Sequence, residues 1–152
     1  MEIERKFIFN DKFFNYDLNL IPHYEIEQYY LSFNPEIRLR KRVGEDTNCF
    51  ITIKSIGGLA RNEFEENIPL ELFDHLKEKR VSKIISKTRY VLNLDGYCFE
   101  IDYYKDHLEG LKVVEIEFPS LADSDRFNPN YSWISEEITE NLKYKNSNLS
   151  KL

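Results

Sequence analysis

Along most of the chain, apolar and polar residues alternate with a period of two, the pattern of strands whose successive side chains point to opposite faces of a sheet. Eight segments carry it: 2–9, 24–33, 37–43, 48–55, 61–69, 84–94, 97–104 and 112–118. Turn residues separate them. Gly44-Glu45-Asp46, Gly57-Gly58 and Asp95-Gly96 suit tight connections, and the last suits the positive backbone angles of a two-residue hairpin. Antiparallel neighbours are therefore expected. Over 69–80 the period changes: Leu72, Phe73 and Leu76 stand at helical spacing, with Pro69 at the start and bases at the end. Ser120 followed by Asp123 reads as the cap of a second short helix that ends near Arg126. Beyond Asn128 the signals are mixed and no element is assigned, nor is there an internal repeat or linker.

The polar positions of these strands are unusual. Glu2, Glu4 and Lys6 share one face of the first strand, and Arg38 and Arg40 share one face of the third. Lys54 follows on the fourth strand; Glu63 and Glu65 flank Phe64; Lys87 and Arg89 flank Thr88; Glu100 and Asp102 flank Ile101; Glu115 and Glu117 flank Ile116. A solvated sheet face usually mixes signs, because like charges side by side repel. Grouped in same-sign pairs about 6.5 Å apart along a strand, two carboxylates can converge on one hard cation and two bases can grip one polyphosphate. A sheet of about eight strands that closes into a barrel can hold one small ligand. Buried ions are tolerable there only if the lumen is wet, internally paired, or filled by metal and anion. The pattern thus predicts a mainly β (α+β) protein with a few short peripheral helices, whose antiparallel strands, closed into a barrel, would enclose a charged lumen.

Composition narrows this picture. At 152 residues, with 41% hydrophobic and 14% aromatic residues and only five Gly and five Pro, the chain is expected to be one ordered domain spanning 1–152. A net charge of −6 argues against a nucleic-acid partner, since such proteins present a basic face to the phosphate backbone. Cys49 and Cys98 lie in apolar stretches without metal or redox spacing and read as reduced core residues, which suits a cytoplasmic protein. His23, His75 and His107 are scattered and make no case for zinc. The charged start, Met1-Glu2-Ile3-Glu4-Arg5-Lys6, is unlike a secretory signal, and no run is long enough to span a membrane, so no membrane partner is expected.

The segment Glu2-Ile3-Glu4-Arg5-Lys6 resembles the ExExK signature of the CYTH domain, or triphosphate tunnel metalloenzyme, superfamily. The likeness continues in order through Arg38-Leu39-Arg40, Thr52-Ile53-Lys54, Arg61 to Glu65, Lys87 to Tyr90, Phe99 to Asp102 and Val114 to Glu117. The Gly57-Gly58-Leu59-Ala60-Arg61 loop and the Lys143 to Asn146 segment look most like the small prokaryotic inorganic tripolyphosphatases. The resemblance implies a tunnel in which Lys6, Arg38, Arg40, Lys54, Lys87 and Arg89 bind phosphate oxygens, with Tyr30 as a further ligand contact and Lys145 at one end. It implies metal ligands among Glu2, Glu4, Asp102, Glu115, Glu117, Glu63 and Glu65, and a catalytic set of Glu4, Lys6, Lys87 and Arg89. Oxygen donors of this kind suit a pair of Mg²⁺ or Mn²⁺ ions.

The expected reaction is metal-dependent hydrolysis of a small-molecule triphosphate, foremost inorganic tripolyphosphate to pyrophosphate and phosphate, by in-line attack of water. Relatives of this kind also handle nucleoside or thiamine triphosphates or cyclise ATP as class IV adenylyl cyclases, and a non-catalytic polyphosphate-binding module is the alternative outside enzymes. A base reader needs extra aromatic contacts at the tunnel mouth, whereas the one tryptophan, Trp133, belongs to the C-terminal segment. Barrels of this family often pair, which leaves a homodimer open.

Overall fold

A computed structural model describes residues 3–54 and 63–152. Its strands are β1 (Glu4–Phe9), β2 (His23–Phe33), β3 (Glu36–Val43), β4 (Thr47–Lys54), β5 (Glu63–Ile68), β6 (Ile85–Leu94), β7 (Tyr97–Tyr104), β8 (Lys112–Glu117) and β9 (Ile134–Glu137). Three short helices, α1 (Leu70–Leu76), α2 (Leu121–Arg126) and α3 (Asn146–Leu149), complete it with several single 3-10 turns. The eight strands legible from alternation are all present. Residues Glu2, Ser55, Arg61 and the Gly57-Gly58 turn lie outside the described residues. Among the described residues no helix is long and apolar enough to cross a membrane.

The strands form one antiparallel sheet in the order β5-β4-β3-β2-β6-β7-β8-β1-β9. Asp95 (φ 55°) and Gly96 (φ 80°) make the β6–β7 turn, both in the left-handed region that a two-residue hairpin requires. β9 comes from the unassigned stretch and adds to β1 through Phe7 opposite Glu137 and Phe9 opposite Ile134. Among the described residues no ladder joins β5 to β9, so hydrogen bonds do not complete the barrel there. The sheet nevertheless curls: Lys6 of β1 and Glu36 of β3, five strands apart in this order, are contacted by the adjacent residues Tyr144 and Lys145.

One face of this sheet is apolar, and the covering elements pack on it. Tyr29, Leu39 and Cys49 of β2, β3 and β4 bury Phe73 of α1. Only Phe73 of that helix is fully buried; Leu72, expected on the buried stripe, is exposed, because a helix of fewer than eight residues turns one narrow edge to the sheet. On the other half, Phe7, Phe9, Phe99, Ile101, Val114 and Ile116 pack under Phe127 and Trp133. The Phe99 and Trp133 rings lie 5.1 Å apart and nearly perpendicular, the favoured edge-to-face arrangement. Ser120 caps α2 as its sequence predicts, its Oγ accepting from the Asp123 N–H at 3.1 Å. Both cysteines are free; Cys49 is buried in this apolar layer, but Cys98 is exposed. Its neighbours on β7 explain the departure from a core role: it shares the strand parity of Glu100 and Asp102, not that of Phe99 and Ile101.

Phe99 is wholly buried at the centre of the larger apolar cluster, so Phe99→Ala should cost about 3–5 kcal/mol of stability. Denaturant unfolding monitored by Trp133 fluorescence measures this, and a loss well under 1 kcal/mol would mean the cluster does not hold the C-terminal segment.

Candidate active site

Strand register decides which side chains meet. Glu4 stands opposite Glu117, and Lys6 opposite Glu115. Glu115 in turn faces Glu100. Arg89 faces Asp102, and Lys87 faces Tyr104. Arg40 lies opposite Gln28, and Arg38 opposite Tyr30. Arg38 also faces Thr52, and Glu36 faces Lys54. Thr52 then faces Glu65, and Lys54 faces Glu63. Because directly opposed residues share a sheet face, every expected site residue among the described ones lies on the same face, the one opposite the apolar layer. Glu2 lies outside the described residues.

At the centre is an ion cluster taken out of water. Lys87 and Asp102 are each 0% exposed, with Lys87 Nζ 2.8 Å from Asp102 Oδ2. Arg89 grips the same carboxylate with two donors, Nε to Oδ1 at 2.7 Å and Nη2 to Oδ2 at 2.9 Å, and reaches Glu100 with Nη1 at 3.0 Å. Both Asp102 oxygens, which the resemblance assigns to metal, thus accept from bases. Lys87 also lies over the Tyr104 ring at 5.0 Å, and the Tyr104 hydroxyl donates to Asn146 Oδ1 at 2.6 Å. Burial works against the Asp102 carboxylate, but Lys87 and Arg89 outweigh it and hold its pKa well below the usual range. Burial lowers the Lys87 ammonium to about 7, with Asp102 opposing the fall and Arg89 and Arg40 adding to it.

Beside this cluster are two arginines of another kind. Among the described residues neither Arg38 nor Arg40 forms an ion pair with a carboxylate. Arg38 Nη2 donates to Thr52 Oγ1 at 3.4 Å, and Arg40 Nε donates to Gln28 Oε1 at 2.8 Å, both neutral acceptors. Burial, Arg38 and Arg89 together press the Arg40 guanidinium below its ordinary pKa. Arg38 Nε is buried without a hydrogen-bond partner. Tyr30 is nearly buried beside them, its phenol pushed up to about 12 by burial.

The remaining groups frame these two sets. Lys6 Nζ lies 3.0 Å from Glu115 and donates to the Tyr144 carbonyl at 3.3 Å. Burial opposes the Glu115 charge, and Lys6, followed by Arg89, still holds its pKa low. Lys54 approaches Glu36 at 3.6 Å, and Lys145 approaches the same carboxylate at 3.9 Å, which brings the C-terminal segment to this end of the face. Glu4, Glu117, Glu63 and Glu65 are exposed. Among the described residues no three His, Cys, Asp or Glu gather closely enough to enclose a metal ion. The donor set is nonetheless all carboxylate on one face, with Glu4 against Glu117 and Glu100 against Glu115, oxygen donors of the kind a hard cation takes.

Sequence reasoning missed Gln28, Thr52, Glu36, Tyr104 and Asn146. Gln28, Thr52 and Tyr104 are neutral residues on a strand, which resemble ordinary packing or solvent contacts, and Glu36 has no like-signed residue two positions away to group with. Apart from Asn146, which the C-terminal segment brings in, their shared parity with the charged pairs was the available signal.

Residues 1–145 match the CYTH domain family, and the chain belongs to that family. It is 39% identical over 98% of its length to an inorganic triphosphatase of Nitrosomonas europaea, covering 96% of that protein. It is 34% identical over 99% of its length to an inorganic triphosphatase of Acetivibrio thermocellus, covering 93% of that one. A crystal structure described as an inorganic triphosphatase superposes with a TM-score of 0.73 at 34% identity, over 99% of this chain and 94% of the other.

Asp102→Asn leaves two buried bases without their counter-ion and should destabilise the fold by about 3–5 kcal/mol. Because the folded carboxyl titrates below its unfolded value, its contribution is complete above about pH 4 and is lost as pH falls through the lower folded value. Unfolding curves collected from neutral to strongly acid pH should therefore show a shallower acid decline in the variant; parallel declines would remove the cluster from the account of acid stability.

Proposed function

We propose that the protein is a metal-dependent triphosphatase that converts inorganic tripolyphosphate to pyrophosphate and phosphate. The observation that carries this reading is the pair Arg38 and Arg40: two guanidiniums hydrogen-bonded, among the described residues, to neutral acceptors, on the charged face of a chain whose net charge is −6. Such a face is matched by a compact polyanion. The similarity to two inorganic triphosphatases supports the same substrate class.

Arg38 and Arg40 present forked donors to the non-bridging oxygens, and Lys54 and Lys6 add mobile point charges from either side. Lys87 and Arg89 oppose the charge that develops on the chain as the terminal phosphorus is attacked in line by water. Asp102 holds both of these bases in place, and we assign it that role in preference to metal ligation, since each of its oxygens already accepts from a base. Glu4, Glu115, Glu117, Glu63 and Glu65, with Glu2, are the carboxylates we assign to metal. When bound, a pair of Mg²⁺ or Mn²⁺ ions would neutralise phosphate charge and lower the pKa of the attacking water. Inorganic substrate is favoured over a nucleoside or thiamine ester because Trp133 is buried in the apolar cluster on the far face, where it cannot stack on a base. The two free cysteines support a cytoplasmic enzyme.

Phosphate release from tripolyphosphate, ATP, thiamine triphosphate and long polyphosphate, each with Mg²⁺, Mn²⁺ or chelator, tests the reading. Tripolyphosphate should turn over fastest and chelator should stop it; cyclic AMP formed from ATP, or undiminished turnover in chelator, would overturn it. Arg40→Ala should raise KM for tripolyphosphate by about ten-fold or more. Glu117→Gln should instead raise the metal concentration needed for half-maximal rate, and wild-type kinetics in both variants would withdraw those two assignments.

A further inference from the structure

β2 runs between the two strands that carry most of the bases, β3 and β6, yet the residues it turns to the charged face are Tyr24, Ile26, Gln28 and Tyr30, none of them a cation. Gln28 is at their centre, opposite Arg40 on one side and Ile85 on the other, and is 0% exposed. Its Oε1 accepts from Arg40 Nε at 2.8 Å, which fixes the orientation of the amide. The other end, Nε2, is buried and has no hydrogen-bond partner among the described residues. Buried amide donors are rarely left unsatisfied, because the desolvation cost is not recovered. The neighbouring Arg38 Nε is in the same condition, so two orphan donors and the Arg40 fork lie together on adjoining strands.

We infer that Gln28 is a further substrate-binding residue, which holds the Arg40 fork through Oε1 and donates its Nε2–H to a non-bridging phosphate oxygen of the same triphosphate. This rests on the triphosphatase reading above. The amide suits the place for a chemical reason. A lysine or arginine at 28 would crowd Arg40, whose guanidinium is already depressed by burial and by Arg38 and Arg89. A carboxylate would neutralise Arg40 and repel phosphate. A carboxamide offers Arg40 an acceptor and the ligand a donor without adding charge.

The test compares wild type, Gln28→Met, Arg40→Ala and the double variant by calorimetric binding of inorganic tripolyphosphate in chelator at low salt, with KM and kcat measured in Mg²⁺. Gln28→Met should bind about ten-fold more weakly and raise KM more than it lowers kcat. The deciding quantity is the loss caused by Gln28→Met in the Arg40→Ala background. A residue that only positions Arg40 has no further effect there, whereas a direct contact weakens binding by about ten-fold again. No further loss, or wild-type affinity in the single variant, overturns the inference. If Gln28→Met does not fold, judged by its melting curve, Gln28→Leu, which is likewise uncharged and offers no donor, carries the same comparison. Wild type that binds tripolyphosphate without hydrolysing it defeats the triphosphatase reading and leaves Gln28 judged on affinity alone; wild type that does not bind defeats both.

Discussion

The clasp of Arg89 and Lys87 on the Asp102 carboxylate organises everything else on the charged face. Charge removed from water must be neutralised within a few ångströms, and here one acid serves two bases. That ratio leaves the centre short of negative charge. Glu100 and Glu115 make up part of the deficit through Arg89 and Lys6, but among the described residues Arg38 and Arg40 are met by neutral oxygens. The cluster thereby fixes the geometry of two bases while β3, on the far side of β2, remains cationic. A rigid half and an electrostatically unsatisfied half, side by side, are what a polyanion site requires.

The same constraint accounts for the placement of the apolar core. With the centre of the charged face given to ions, most hydrophobic burial occurs on the other side of the sheet, under α1, α2 and the segment around Trp133, while a smaller cluster of Ile85, Tyr104, Val113, Ile138 and Leu149 closes one end of the charged face. Stability and chemistry therefore draw largely on opposite faces of the same strands. Ile101 and Asp102 are adjacent in sequence, both fully buried, and belong to different environments.

The strands were legible because period-two alternation is a local property, and the two faces could be told apart because one of them grouped charge by sign. Arg38, Arg40, Lys87 and Arg89 could be read from that grouping alone. Two things could not. The pairing order, which inserts β1 between β8 and β9, depends on contacts between residues more than a hundred positions apart, of which Lys6 and Thr139 are an example. β9 itself, Ile134–Glu137, is four residues long with one buried side chain, too short to show a period. Gln28 and Tyr104 escaped because a neutral polar residue on a strand carries no sign to group, and Cys98 misled because residue type suggested the core while parity placed it with the acids.

The sheet's two margins have a consequence of their own. β5 presents Glu63, Glu65 and Glu66, and β9 presents Glu136 and Glu137, so both outermost strands carry the same sign. An exposed margin is an open template for another strand, and like charge on both makes joining head to tail between copies costly. Beyond the metal role proposed for Glu63 and Glu65, the acidity at these borders thus acts as insulation, opposing growth of the sheet from copy to copy into a ribbon.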